Sequence, residues 1–378
     1  MEGAIVKDIH VTALDDSVRG LISSPNIDDP REEDFSALAL AMYAFQYERC
    51  LPYRRYSEAF GVTPSTVSSW REIPAIPTSA FKVSAMTTCD ETVYTFRTSG
   101  TSSPGRQGKV TRDAEAQALV WEAQVAIHSA MMRPDGAALP FFSLVPSPLQ
   151  LPEASIAHSV QTLMKANGGP GSRSFVTMNG LNANDLYDAL RVSEAADEPV
   201  EIYGATYSLV PFLDWLYENG RRLALPDGSR LAHGSGYKGR SRELSPPEFE
   251  AYVVDRLGIP GHRRVGVLGM TELGSQFYDD VLRRDNVART QERRMITHPW
   301  TRTRVVDPET LADQAPGVPG LLMHYDLSLR GNILAVLTED LGIQIGSGFQ
   351  IIGRVPKAEP RGCNAAMEAL MTVSGQDR

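Results

Sequence analysis

Apolar positions along the chain recur with two periods. EEDFSALALAMYAFQYER (residues 32–49) sets Leu38, Met42 and Phe45 at helical spacing, with Asp34 ahead of them as a cap. DAEAQALVWEAQVAIHSAMM (113–132) and PPEFEAYVVDRLGI (246–259) also read as helices. TVYTF (92–96) alternates as a strand does, and LPFFSLVPS (139–147) reads as a buried strand leaving into a proline-rich loop. EIYGATYSLVPFLDWLYENG (201–220) reads as strand, turn and helix, with Gly220 near the helix end. RRVGVLG (263–269) is a further apolar strand. The last third adds GLLMHYDL (320–327), ILAVLTEDLG (333–342) and FQIIGR (349–354), strands separated by glycine turns.

The intervening stretches are less regular. Residues 1–30 read as polar and end in an entry loop, SPNIDDP. VTPSTVSSW (62–70) predicts a turn and a short helix, and two prolines hold IPAIPTSAF (73–81) extended or irregular. Strands alternate with helices through most of the chain, without internal repeat, and the C-terminal third is richer in strands. That pattern predicts an α/β protein with an added antiparallel portion.

Composition narrows the classes. With 378 residues, 42% of them hydrophobic and 22% charged, the chain suits a soluble, enzyme-sized protein. A net charge of −9 argues against a general nucleic-acid or anionic-membrane binder, and leaves room for a small anion held by local groups. Three scattered cysteines, Cys50, Cys89 and Cys363, make neither a disulfide framework nor a zinc site. The start has no signal-peptide pattern, and FSALALAMYAF is too short to span a bilayer. The expectation is a cytoplasmic protein without a membrane span.

Candidate chemistry clusters after strands, where open α/β sheets tend to bind ligands. TSGTSSPGRQGK (98–109) offers the hydroxyls of Thr98, Ser99 and Thr101, and glycines including Gly100 that let backbone N–H groups approach a polyanion. It lacks the Lys-Ser/Thr of a Walker loop, so in isolation it is a phosphate loop or a polar turn. GMTELGSQFYD (269–279) sets Thr271 beside Glu272, a pair suited to a phosphate and to Mg²⁺, or else a helix start capped by the threonine. Asp340, in TEDLG after a strand, and Arg354, a short turn beyond the next, could hold ribose hydroxyls or simply end a charged hairpin. Cys363 follows Arg361-Gly362, where a thiolate would be favoured; alternatively it is a small buried residue of a C-terminal helix.

In this order the motifs resemble those of the adenylate-forming superfamily: acyl-CoA ligases, peptide-synthetase adenylation domains and firefly luciferase. The chain more closely resembles the acyl-protein synthetases of bacterial bioluminescence, from about Phe35 to near its end. ALALAMYAFQYERCLPYRRY, IPAIPTSAFK, TSGTS, SGYKGRSRE, GMTELGSQFYD, GLLMHYDLSLRGNILAVLTEDLG and GRVPKAEPRGC carry the likeness. The resemblance implies the large-domain fold of adenylate-forming enzymes over residues 1–352, layered from α/β subdomains, with a helical part over 1–90. A short tail, 353–378, would carry Cys363. ATP and Mg²⁺ would be the cofactors and a carboxylic acid the substrate.

Site roles follow from the same resemblance. Thr98, Ser99, Gly100 and Thr101 would contact the triphosphate. Gly269, Met270 and Thr271 would border the α-phosphate, and Glu272 would hold Mg²⁺. Asp340 and Arg354 would hold the ribose. Gly234, Ser235 and Gly236 would line the adenine and acyl pockets, which draw on residues near 203–207 and 234–237. His158, in the loop after LPFFSLVPS, matches a histidine close to the reacting carboxylate, or is a surface loop residue.

Three departures stand out. The chain stops where the superfamily continues into a lid domain bearing a catalytic lysine, so either another base would serve, with Lys238 the candidate or a surface lysine, or adenylation would be slow. Leu268 stands where relatives often place an aromatic, and Ser103 takes a usual glycine position. The acyl group would pass to Cys363 and on to an acyl-accepting reductase. Alternatively it would go to coenzyme A or a carrier protein with Cys363 dispensable, or the chain is a non-catalytic nucleotide-binding subunit. The basic run RRDNVARTQERR (283–294) is a docking surface for an acidic carrier or a solvated face.

Overall fold

A computed structural model of the chain describes residues 2–24, 26–98, 107–177, 179–234, 236–237, 239, 241–284 and 293–355, with side chains from residue 11 onward. The chain divides into two compact units. The first comprises residues 1–126, 271–275 and 296 onward; the second comprises 127–270 and 276–295.

The first unit is built on a strongly hydrogen-bonded antiparallel sheet. The strands Thr301–Val306, Gly320–Asp326, Ala335–Ile345 and Gly348–Arg354 follow one another as neighbours, and the short strand Ile76–Pro77 runs parallel to the third. The helix Glu32–Arg49 packs through Phe35, Ala39, Met42, Tyr43 and Gln46. Met42 is on the predicted face, while Leu38 and Phe45 are only half-buried. Phe35 stands edge-on to Trp70 (5.5 Å), and Trp70 edge-on to Tyr325 (4.9 Å), an aromatic chain linking helix to sheet. Gln46 is buried without cost because its amide donates to Leu329 O and accepts from Leu334 N.

Two local readings change here. The N-terminal stretch, read only as polar with its loop at SPNIDDP, forms a helix over Glu2–Ile22 ahead of that loop. Asp34 is not the cap of the next helix: Arg31 is, in the left-handed region (φ 46°), and Asp34 lies in the first turn bonded to Arg31 Nε at 2.6 Å. An acid there still complements the helix dipole.

The second unit is a mixed sheet whose central strands are parallel. Phe141–Ser143, Glu201–Ala205, Arg230–Gly234 and Arg264–Leu268 lie side by side, and Phe277–Tyr278 closes one end antiparallel. Strand 230–234 was not legible as such. The helices Ser155–Asn167, Ala183–Ala196, Thr206–Glu218 and Pro246–Leu257 belong to this unit. Its core joins Phe142, Ile202 and Leu231 of the sheet to Leu190, Leu213 and Val253 of the helices. The last helix starts at a Ser245/Glu248 capping box with Pro246 next, and ends at Gly258 in the left-handed region (φ 71°).

Candidate active site

The hydroxyl-rich loop has a firm base. Tyr94–Arg97 pairs antiparallel with Lys109–Arg112. Beyond that pair, Thr98 N donates to Gly108 O, and Gly108 N donates to Thr98 Oγ1, both at 3.0 Å. Thr98 is buried. A Cβ at Gly108 would meet the Phe81 carbonyl at 3.0 Å, so the backbone of Phe81 and the loop base approach as closely as glycine permits. Thr98 therefore anchors the loop as a structural hydroxyl. Ser99, Gly100 and Thr101 lie outside the described residues, as do Ser103, Ser235, Lys238 and Cys363.

The GMTELG segment is not a helix start; it is a turn between the strands Arg264–Leu268 and Phe277–Tyr278. Its second half is fastened by a buried carboxylate. Asp326 Oδ2 accepts from Gly274 N (3.1 Å) and Ser275 N (2.6 Å), and Oδ1 accepts from the hydroxyls of Ser275 (3.0 Å) and Ser328 (2.7 Å). A Cβ at Gly274 would sit 2.3 Å from Ser328 Oγ. Sequence reading missed Asp326, whose only signal was an acid inside the apolar run HYDLSL. Glu272, two residues before Gly274, is 9% exposed. Burial pushes its carboxyl up to about 7, while a backbone hydrogen bond and the charges of Arg354 and Lys82 pull the other way. Thr271, beside it, is half-buried.

Asp340 and Arg354 are directly opposite each other in the antiparallel pair of Ala335–Ile345 and Gly348–Arg354. Arg354 Nε lies 3.5 Å from Asp340 Oδ1 and 3.6 Å from Glu339 Oε2. Burial raises the Asp340 carboxyl, which the Arg354 charge lowers and the Glu339 charge raises further. Asp340 sits inside the strand rather than after it, and Arg354 ends the strand rather than following it. The pair is thus set by sheet register, and the hairpin alternative describes its geometry.

In the second unit, Ala205, Gly234 and Val267 stand in register on neighbouring parallel strands near their carboxyl ends. A Cβ at Gly234 would lie 2.1 Å from Val267 O, so no other residue fits there. Thr206 Oγ1 donates to Gly234 O at 3.2 Å, joining the two segments expected to line the pocket. Gly236 has φ 59°, and Gly269 and Met270 leave the strand as an exposed and a half-buried residue. His158 is not in a loop: it lies in the first turn of the Ser155–Asn167 helix, with Nε2 2.9 Å from Pro152 O. Nor are the described ends of the basic run a solvated face. Arg293 pairs with Asp279 at 2.8 Å, and Arg284 and Arg294 flank Asp280 at 2.9 and 3.0 Å.

The family described as "Acyl-protein synthetase, LuxE" matches residues 9–372. The chain belongs to that family. The LuxE relatives include the long-chain-fatty-acid–luciferin-component ligase of Vibrio harveyi, 22% identical over 352 residues (89% of this chain, 88% of that one). The ligase of the same name from Aliivibrio fischeri is 23% identical over 187 residues, 47% of each chain. Among solved structures, 2-hydroxyisobutyryl-CoA ligase, in complex with its acyl-AMP, superposes with a TM-score of 0.62 at 13% identity, covering 88% of this chain and 73% of that one. This LuxE-family chain therefore has the adenylate-forming fold and is an enzyme, an ATP-dependent ligase. Among its described residues no helix is long and apolar enough to cross a membrane.

The fold implies a divalent cation, and the residues can be tested against it. Among the described residues no group of three His, Cys, Asp or Glu could hold a metal unaided. A buried carboxylate that resists ionisation alone, in a turn between strands, is a donor that suits Mg²⁺ held through one carboxylate and phosphate oxygens. Glu272 fits that part.

Proposed function

We propose that this protein activates a carboxylic acid with ATP, forming an acyl-adenylate and pyrophosphate, and passes the acyl group to a thiol, its own Cys363. The observation that carries the reading is Glu272: a carboxyl buried until it titrates near neutrality, in the same compact unit as the base of the TSGTS loop and the Asp340–Arg354 pair. An enzyme maintains such a costly group where a cation or a developing charge will meet it.

Roles follow from the chemistry each group offers. The loop after Thr98 supplies N–H and hydroxyl donors to the triphosphate, and Thr271 a donor to the α-phosphate. Asp340 accepts from ribose hydroxyls, with Arg354 holding its carboxylate in place. Gly234 lets its strand close against the Val267 carbonyl, and Gly236 keeps the turn beyond it free of a side chain. Mg²⁺, when bound at Glu272, supplies neutralisation of the leaving pyrophosphate. The carboxylate oxygen forms a bond to the α-phosphorus as the bond to the bridging oxygen breaks. A thiolate then attacks the mixed anhydride and expels AMP, leaving a thioester.

Acid-dependent exchange of labelled pyrophosphate into ATP tests the first step, using long-chain, short-chain and aryl acids in turn. Exchange with one class is expected; none with any class overturns the reading. Intact mass after incubation with the active acid tests the second. A hydroxylamine-labile acyl adduct that Cys363→Ala removes is expected. An adduct that survives the substitution, or transfer only to an added carrier protein or coenzyme A, moves the acceptor off Cys363.

A further inference from the structure

The first half-reaction asks for a cation more than for a base. The acid enters as a carboxylate, pyrophosphate leaves, and no proton changes hands: one P–O bond forms, one breaks, and the five negative charges of RCOO⁻ and ATP⁴⁻ reappear on the acyl-adenylate and pyrophosphate. What must be stabilised is charge gathering on the departing phosphates.

A lysine in the described structure meets that need. Ile76–Pro77 pairs in parallel register with Val336 and Leu337, which leads the next residues, the 3₁₀ turn Thr78–Lys82, alongside the strand that carries Thr338, Glu339 and Asp340. Ala80 and Phe81 are buried, so the turn is anchored from within. The Phe81 carbonyl carbon, bonded to Lys82 N, lies where a Cβ at Gly108 would come within 3.0 Å, and Thr98 Cγ2 is 3.1 Å from the same point. Lys82 therefore starts against the base of the hydroxyl-rich loop. Its side chain is half-buried, and its charge reaches Glu272. Loop base, Lys82, Glu272 and the Asp340–Arg354 pair all belong to the first compact unit.

We propose that the Lys82 ammonium contacts the β- and γ-phosphates of ATP and neutralises the pyrophosphate as it leaves. The proposal rests on the functional reading above. Lysine suits the task as a compact point charge on a stem that can follow a moving group. Sequence reading had looked for a base, at Lys238, and not for a cation in IPTSAFK, because nothing in sequence alone ties residue 82 to residues 98, 108 and 272.

The test is calorimetric binding of ATP, pyrophosphate and AMP to unsubstituted protein, Lys82→Met and Lys82→Arg, with exchange rates alongside. Loss of one charged contact corresponds to roughly 10- to 100-fold in affinity. Lys82→Met is therefore expected to weaken ATP and pyrophosphate by about that factor and to leave AMP, which lacks both phosphates, unchanged. Lys82→Arg should recover part of the loss, and exchange should fall while transfer from supplied acyl-adenylate persists. Equal loss for AMP and ATP would show a damaged fold or a displaced Glu272 and overturn the proposal, as would unchanged ATP binding. Failure of the unsubstituted protein to bind ATP at all overturns the functional reading, and this proposal with it.

Discussion

The two sheets present candidate site residues by different means. In the second unit the central strands are parallel, and what they offer is backbone: Gly234 beside Val267, Gly236 with φ 59°, Gly269 just past a strand end. In the first unit the four main strands are antiparallel, and what they offer is charge: Asp340 across from Arg354, Glu339 next to it, Glu272 and Lys82 nearby. Parallel strands all point their carboxyl ends one way, so loops and glycines gather at one edge. An antiparallel hairpin puts side chains directly opposite one another, so a pair can be set by register alone. Damage to the first sheet should therefore appear in chemistry and damage to the second in fit and stability.

Glu272→Gln should show the largest effect. Removing a group that stabilises transition-state charge costs roughly 100- to 1,000-fold, and pyrophosphate exchange should fall by about that much. Stability should move the other way. A carboxyl raised from the ordinary range to about 7 binds more protons folded than unfolded, so it destabilises the metal-free fold progressively as pH rises toward 7 and fully above it. Glutamine has no proton to lose. The gain in Tm on substitution should thus be larger at pH 8 than at pH 5. A loss of activity together with an equal fall in Tm at both pH values would mean that Glu272 is structural.

Arg354→Met and Asp340→Asn come next. Both side chains reach solvent to some degree, so their mutual ion pair adds little to stability. Their effect should fall on nucleotide binding: about tenfold in KM for ATP, in line with one charge-assisted hydrogen bond. A double substitution no worse than either single one would show that the pair acts as a unit.

Gly234→Ala probes the other sheet. Its Cβ would lie 2.1 Å from Val267 O, a backbone atom that cannot turn aside. The strands must part, at about 1–3 kcal/mol, and denaturant unfolding should read that loss directly. KM for ATP and for the acid should rise together, because Thr206 bonds to the carbonyl of the same glycine.

How far these residues were legible depends on what surrounds them. The hairpin 335–354 was readable because apolar runs end in glycine turns; its register, which pairs Asp340 with Arg354, is set only when the strands meet. The N-terminal helix was hidden by one residue. Val11, Leu14, Val18 and Leu21 keep helical spacing, but Asp15 lies in the same stripe, buried against Arg330 at 3.2 Å. A charge on the core side breaks the hydrophobic pattern unless its distant partner is known. The Ser155–Asn167 helix has no side-chain cap, so the start signal that would have moved His158 out of a loop was lacking.

His158 gives the smallest predicted effect and the finest test of the comparison between the sheets. A histidine that holds a carboxylate must offer it a donor. Nε2 here faces the carbonyl of Pro152, so in the neutral ring Nε2 carries the proton and Nδ1 is an acceptor. An acceptor repels a carboxylate oxygen. One neutral hydrogen bond is worth about 0.5–1.5 kcal/mol net, and the bond to Pro152 secures a helix start rather than a substrate. His158→Ala should then change KM for the acid by less than about threefold, with exchange at saturating acid unaltered and a small fall in Tm. A tenfold rise in that KM at unchanged Tm would bring the histidine to the reacting carboxylate, and the second sheet would then contribute chemistry as well as shape.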